Sequence, residues 1–150
     1  MKDLDYFYIS YSRRDQELVS QLSGDLRKSG INIWVDVQEI SAGANWVELI
    51  QRALDGASGV IVVLSPDSVM SKWVETEVDF AQDHQKPIYP IVIRPVDLPL
   101  SLSNFQVINF SSSYSEGLSQ LLQVLPKGMV SEEPIEPREE KSKGFFSSSK

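Results

Sequence analysis

A run of six residues, 59–64 (GVIVVL), is apolar at every position and constrains the fold more than any other feature of the sequence. A strand with one solvated face alternates apolar and polar side chains, so this run predicts a strand that is buried on both faces. Such strands lie at the centre of parallel sheets. Three other clear strands are predicted at 6–11, 31–35 and 88–93, and a weaker one at 107–110.

Helical patterns separate the predicted strands. Between the first two strands, leucines repeat at every fourth position from Leu18 to Leu26. Ser12 is the predicted N-cap of this helix, with Asp15 three residues on, and Gly30 ends it.

Three further helices are predicted along the chain. Asn45 with Glu48 opens the second, Ser71 opens the third, and the last ends at Pro126. The stretch 95–104 contains two prolines, so a helix there is expected to be short or irregular. The alternation of strand and helix predicts an α/β fold. We expect a flavodoxin-like three-layer sandwich, with a five-stranded parallel sheet in the order 2-1-3-4-5 and helices on both faces.

The composition of the 150-residue chain changes after Pro126. Residues 1–126 carry the strand and helix patterns and are predicted to form one domain with one hydrophobic core. Residues 127–150 are rich in Glu, Lys, Ser and Pro. Such a segment cannot bury enough apolar surface to offset the entropy of ordering it. We expect a disordered tail or a linker to a further module, and we favour the linker.

Charge and composition exclude several classes of partner and site. The formal net charge is −7 and the basic residues are scattered, so neither nucleic acid nor a membrane surface is expected as a partner. The absence of cysteine excludes disulfides and thiolate zinc sites, and no metal site is expected. No apolar run approaches the ~20 residues that span a bilayer, and the N-terminus lacks a signal-peptide pattern. A cytoplasmic protein is expected.

The predicted third helix contains one charged residue that does not fit its pattern. Around the helix axis each residue turns by about 100°, with Trp73 placed at zero. The apolar side chains between Val74 and Ala81 then centre at about 60°, and Glu77 lies at about 40°. The other acidic residues of the helix lie on the opposite side. A carboxylate within an apolar face costs several kcal/mol to bury unless it is paired or lines a cleft.

Two interpretations of Glu77 follow from this pattern. Glu77 is either a partly buried residue paired with an arginine or lysine of a neighbouring loop, or a residue that faces a ligand crevice. Its position favours the second interpretation, because Glu77 lies within two turns of the helix start. In parallel α/β folds the helix N-termini meet the carboxyl edge of the sheet, where ligands bind.

Four segments of the chain carry recognisable motifs. They are YFYISYSRRD; GINIWVD followed by VQEISAGANWVELIQRAL; GVIVVLSPDSVMSKWVETEV; and PIYPIVI. In this order and spacing they resemble the motifs of Toll/interleukin receptor (TIR) domains, over about residues 3–126. Ser71, Trp73 and Glu77 occur together, and ISAG at 40–43 replaces the Arg-Asp-x-x-Pro-Gly loop that is common in adaptors. The chain therefore resembles the bacterial NAD-cleaving branch more than the receptor-adaptor branch, although the family's Phe-Trp pair near the last helix has no clear counterpart.

The resemblance implies an NAD+ nucleosidase, a hydrolase of the N-glycosyl bond that releases nicotinamide and gives ADP-ribose or a cyclic ADP-ribose isomer. It implies signal transduction in bacterial immunity or stress, such as antiphage defence. NAD+ is then the substrate, and no cofactor is expected. The resemblance also implies self-association with other TIR domains, in which the loop after the second strand of one copy completes the pocket of the next.

Glu77 is the candidate catalytic residue. Glycoside hydrolysis usually needs two carboxylates, one of which protonates the leaving group. Nicotinamide, however, is cationic in NAD+ and leaves as a neutral molecule, so this reaction requires no general acid. One carboxylate that holds the ribose hydroxyls and offsets the developing oxocarbenium charge suffices.

Further candidates for substrate binding follow from position and from the resemblance. Trp73, one turn before the candidate carboxylate, is either a wall of the ribose or nicotinamide site or a core aromatic residue. Ser10, Tyr11 and Arg13 lie at the end of the first strand and in the next loop, at the same sheet edge. Either Arg13 or Arg14 pairs with the pyrophosphate, or both are simply solvated.

The loop after the second strand supplies the other candidates. Asp36 ends the strand as a turn-forming residue or a substrate ligand, and Gly43 supplies loop conformations that are closed to other residues. Asn45 or Trp46 contacts substrate or a neighbouring copy. His84, the only histidine, is expected to be structural.

Other functions are possible on the same topology. A TIR module that only recruits other TIR domains is the main alternative, because a scaffold shares the fold. A phospho-receiver domain is rejected, since it needs an Asp at the end of the third strand and a Lys at the end of the fifth, where this chain has Ser65 and Ser111. A dinucleotide oxidoreductase is poorly supported, because no G-x-G-x-x-G follows a strand.

Overall fold

A computed structural model of the chain describes residues 5–35 and 46–126, with only the backbone of Trp46. These residues contain a five-stranded sheet made of β1 Phe7–Ser10, β2 Ile33–Val35, β3 Gly59–Leu64, β4 Ile88–Val92 and β5 Ile108–Asn109. The strand order is β2-β1-β3-β4-β5 and each pairing is parallel. The predicted topology is therefore confirmed. The predicted tail or linker at 127–150 lies outside the described residues.

The central strand is β3, as its uninterrupted apolar run predicts. All of its residues are buried, and its bounds are those of the predicted strand. It pairs with β1 on one side and β4 on the other, with Ser10, the last residue of β1, opposite Val62. The register brings the end of β1 beside the carboxyl half of β3.

Four α-helices accompany the sheet: α1 Gln16–Lys28, α2 Trp46–Gly56, α3 Lys72–Asp83 and α4 Tyr114–Val124. Helices α1 and α4 pack on one face of the sheet, and α2 and α3 pack on the other. Between β4 and β5 the described chain has a single 3-10 turn, Leu100–Leu102, which agrees with the short, irregular element expected there. Over residues 5–35 and 46–126, none of the helices combines the length and apolar character needed to cross a membrane.

Alternation along the strands divides the core into two layers. In β3, Ile61 and Val63 join the α1 and α4 layer, while Val62 and Leu64 join the α2 and α3 layer. In the first layer Tyr114 donates a hydrogen bond to a carboxylate oxygen of Asp25 over 2.6 Å. Burial, together with that carboxylate, raises the pKa of the Tyr114 hydroxyl above its ordinary value.

Of the predicted helix starts, Ser71 is confirmed, Ser12 is wrong, and Asn45 lies outside the described residues. The Ser71 hydroxyl accepts a hydrogen bond from the Val74 amide over 3.1 Å at the start of α3, as expected. Ser12, however, does not cap α1. It caps a 3-10 turn, Arg13–Asp15, by accepting from the Arg14 amide, and α1 begins only at Gln16. The expected pairing of Ser12 with Asp15 across the helix start is wrong, because the Asp15 side chain turns into the protein to meet an arginine.

Candidate functional site

Glu77 is buried within the apolar face of α3. Its exposed fraction is 2%, and the neighbouring side chains Val74, Val78 and Ala81 are buried on the same side of the helix. The acidic residues Glu75, Asp79 and Asp83 are exposed. The orientation predicted from the helical pattern is thus confirmed, and the chain buries a carboxyl group where an aliphatic residue would ordinarily lie.

The partners of this carboxyl group come from β1. The Ser10 hydroxyl donates to Oε1 of Glu77 over 2.7 Å, and the Tyr8 hydroxyl donates to Oε2. Residues two apart in a strand point to the same face, which is why Tyr8 and Ser10 both reach α3. Two hydroxyl donors, one for each oxygen, offset much of the cost of burying the carboxyl group.

Tyr8 itself is fixed by packing. It is fully buried, and its ring stacks on Trp34 of β2 with centroids 5.2 Å apart and planes 11° from parallel. Three elements therefore position the site: β2 holds the tyrosine ring, β1 supplies the hydroxyls and α3 supplies Glu77. Sequence reasoning missed Tyr8, although its place two residues before Ser10 was a usable signal.

The structure brings only some of the sequence candidates together. Ser10 contacts Glu77 directly, and Trp73 is half-buried one turn earlier on α3, against the core layer that contains Tyr8. Tyr11 packs in the core layer on the opposite face of the sheet. Arg13 is exposed in the turn after β1.

Four other candidates lie outside the described residues. They are Asp36, Gly43, Asn45 and the side chain of Trp46, all within or next to the segment 36–45. His84 lies at the end of α3, where it is exposed and its ring stacks on Phe80 at 4.0 Å. That arrangement agrees with the structural role expected for it.

A second polar cluster lies close to the carboxyl edge of the sheet and was not expected from the sequence. The carboxylate of Asp15, which is fully buried, accepts hydrogen bonds from Arg94 over 2.6 Å and from the Ser65 hydroxyl over 2.6 Å. Arg94 also approaches Asp67 at 3.5 Å. The cluster joins the turn after β1 to the residues that follow β3 and β4. No local sequence pattern predicts this cluster, because Asp15 resembles a helix-capping residue and Arg94 resembles a solvated arginine.

A cavity of about 250 Å³ lies beside α3, but Glu77 does not line it. Its walls include Val74, Val78 and Leu102, and Glu75 and Asp79 also line it. Within the described part of the chain, no group of three or more acidic or histidine side chains is placed to hold a metal ion.

Fold and site together define a doubly wound α/β domain with a buried, hydrogen-bonded glutamate at the carboxyl edge of its sheet. A family model described as "TIR domain" matches residues 7–122. The chain belongs to the TIR-domain family, which confirms the resemblance found in its motifs.

Curated relatives and solved structures agree with this assignment. The 2' cyclic ADP-D-ribose synthase BtTIR of Bacteroides thetaiotaomicron is 27% identical over 116 residues, which are 75% of this chain and 39% of that protein. The NAD(+) hydrolase TcpC of Escherichia coli is 32% identical over 91 residues, 57% of this chain and 30% of that protein. This chain thus spans less than two fifths of the length of either relative. The TIR domain of the Toll-related receptor TRR-2 from Hydra magnipapillata has the same fold, with a TM-score of 0.67 at 23% identity over 78% of this chain and 94% of that one.

Proposed function

We propose that this chain is an NAD+ nucleosidase that cleaves the bond between nicotinamide and ribose, with Glu77 as its catalytic residue. The observation that carries the proposal is the buried carboxyl group of Glu77, held by hydroxyl donors at the carboxyl edge of the sheet. This is the edge at which α/β folds of this type bind ligands. Two relatives in the same family bear the names of NAD+ hydrolase and cyclic ADP-ribose synthase, which supports the choice of substrate.

The proposed reaction needs little from the protein beyond one carboxylate. The bond from ribose C1′ to the pyridinium nitrogen breaks, its electron pair stays with nitrogen, and neutral nicotinamide leaves. Positive charge develops on the ribose, where an adjacent carboxylate lowers the barrier electrostatically. Water then adds to C1′ and gives up a proton to solvent, which yields ADP-ribose. Alternatively a hydroxyl or ring nitrogen of the same molecule adds with loss of a proton and yields a cyclic isomer. NAD+ is the substrate in this scheme, and the chain uses no cofactor.

Self-association is part of the proposal. In a single copy Glu77 is 2% exposed, so NAD+ does not reach it without a rearrangement around α3 and β1. Contact between copies, through the segment that includes residues 40–43, would supply such a rearrangement and complete the pocket. Signalling in bacterial immunity or stress remains the expected setting.

The test is nicotinamide release from NAD+ by the full chain, fused to an oligomerising module, for wild type, Glu77→Gln and Glu75→Gln. We expect Glu77→Gln to lower the rate at least ~100-fold, the size of effect seen when one preorganised electrostatic group is lost. Glu75→Gln is the matched control, because Glu75 lies on the same helix but is exposed. It should stay within about twofold of wild type. Activity that survives in Glu77→Gln would remove Glu77 from the mechanism.

A non-enzymatic TIR scaffold is the second candidate, and the burial of Glu77 favours it. A carboxyl group whose oxygens already accept two protein hydroxyls has the contacts of a structural residue. The scaffold predicts that wild type and Glu77→Gln both release no nicotinamide, even as oligomers, while the domain still binds copies of itself. Sedimentation measurements on the same preparations would provide that comparison.

A further inference from the structure

We propose that the Tyr8 hydroxyl is an internal competitor of NAD+ for Glu77, which makes Tyr8 a positioning residue that sets substrate affinity. This inference rests on the proposed function and adds a residue to it. Tyr8 was not among the residues that the sequence motifs single out. Its hydroxyl donates to Oε2 of Glu77, while the Ser10 hydroxyl donates to Oε1.

The arrangement imitates the contact that the ribose must make. A carboxylate presents two oxygens side by side, and the vicinal diol of ribose presents two hydroxyl donors side by side. In this structure each oxygen of Glu77 already has one hydroxyl, both from β1. Because Glu77 is 2% exposed, the ribose diol reaches these oxygens only when the contact between α3 and β1 opens, and that opening breaks the hydrogen bond from the Tyr8 hydroxyl.

Tyr8 is not free to move out of the way. Its side chain is fully buried, its ring stacks on Trp34, and its backbone pairs with Trp34 on one side and Val60 on the other. The exchange therefore requires α3 or the Glu77 side chain to move away from β1. The hydrogen bond from Tyr8 to the carboxylate stabilises the substrate-free domain. A hydrogen bond to a charged group is strong enough to weaken NAD+ binding about tenfold or more.

The variant Tyr8→Phe isolates this effect, because it removes the hydroxyl and retains the ring that stacks on Trp34. We expect KM for NAD+ to fall about tenfold, with kcat within about twofold of wild type. Tyr6→Phe is the matched control. It removes a tyrosine hydroxyl that donates to the Ala53 carbonyl over 2.6 Å, and it should leave KM unchanged. All proteins are compared as the full chain in the same oligomerising fusion.

The kinetic results distinguish failure of this inference from failure of the proposed function. A fall in kcat at unchanged KM would overturn the inference, because the hydroxyl would then act on the bound complex. Kinetics identical to wild type would also overturn it. In either case, Glu77-dependent turnover by the wild type would leave the proposed function standing, whereas a wild type without turnover removes both.

A measurement on the wild-type chain covers the case in which Tyr8→Phe fails to fold. The five tyrosines are labelled with 13C at Cζ, and a carbocyclic NAD+ analogue, which keeps the diol but resists cleavage, is added. Loss of the hydrogen bond to Glu77 should shift the Tyr8 signal, with the signals of Tyr89 and Tyr114 as references on the other face of the sheet. Binding of the analogue without a shift at Tyr8 would refute competition. Absence of binding would instead count against NAD+ as the substrate.

Discussion

Replacement of Arg94 by Met is expected to destabilise the domain by about 2–3 kcal/mol. The loss of one partner of a buried ion pair costs ~3–5 kcal/mol, because the remaining charge stays buried. Here the Asp15 side chain is 0% exposed, but it keeps a hydrogen bond from Ser65, and the Arg94 side chain is 49% exposed. Both facts place the expected value at or below the lower end of that range. At roughly 3 °C per kcal/mol for a domain of this size, Tm should fall by about 6–9 °C.

The matched control is Arg14→Met. The Arg14 side chain is 79% exposed and reaches Asp67 only at 4.0 Å, so its loss should cost less than about 0.5 kcal/mol. Urea unfolding is measured for Arg94→Met, Arg14→Met, Asp15→Asn and the double variant that combines Asp15→Asn with Arg94→Met. The two single variants and their double variant give the coupling free energy directly. We expect a coupling free energy between positions 15 and 94 of at least about 1 kcal/mol. If Arg94→Met loses no more stability than Arg14→Met, the cluster does not hold the sheet edge together.

Three further substitutions test backbone conformation and packing at single positions. Gln85 follows α3 with a φ of 58°, a conformation that favours glycine, so Gln85→Gly should stabilise by about 0.5–1 kcal/mol; a lower Tm would contradict this. In α4, a Cβ at Gly117 would lie 2.6 Å from the ring of Phe110, so Gly117→Ala should destabilise by about 1–3 kcal/mol despite the better helix propensity of alanine. At Gly24 in α1 an added Cβ would meet no other part of the protein within 4 Å, apart from its own helix backbone and chain neighbours. Gly24→Ala should therefore be neutral or stabilising, and similar melting curves for the two alanine variants would refute the steric explanation.

The fold was predictable because its strongest signals are local and periodic. The run at 59–64 has no polar position, and only the centre of a parallel sheet buries a strand on both faces. Strand ends were less predictable. The first strand was expected at 6–11 but pairs only over Phe7–Ser10, and the weak fifth strand is reduced to Ile108–Asn109. Apolar patterns extend past the last backbone pair, because residues outside the ladder still pack against the core.

The site was predictable only in part, for a related reason. Glu77 stood out because it contradicts the pattern of its own helix. Its contact with Tyr8 joins residues 69 apart in sequence, and that of Arg94 with Asp15 joins residues 79 apart. A tyrosine in an apolar strand and an arginine in a loop each fit their surroundings, so no local rule marks them. Such partners become visible only when the register of β1, β3 and β4 is known.

Stability and the proposed activity depend on the same two hydrogen bonds. A buried carboxyl group without donors would cost several kcal/mol, a large share of the stability of a domain this small. Tyr8 and Ser10 offset that cost, so the domain folds with the Glu77 carboxyl group in place. In the proposed reaction the ribose hydroxyls take over this role. On this proposal the carboxylate has donors before and after binding, and the free energy needed for the exchange would set how readily a single domain turns over NAD+. On the same proposal, a second copy that shifts α3 from β1 would weaken both bonds at once, which would link self-association to catalysis through contacts within one chain.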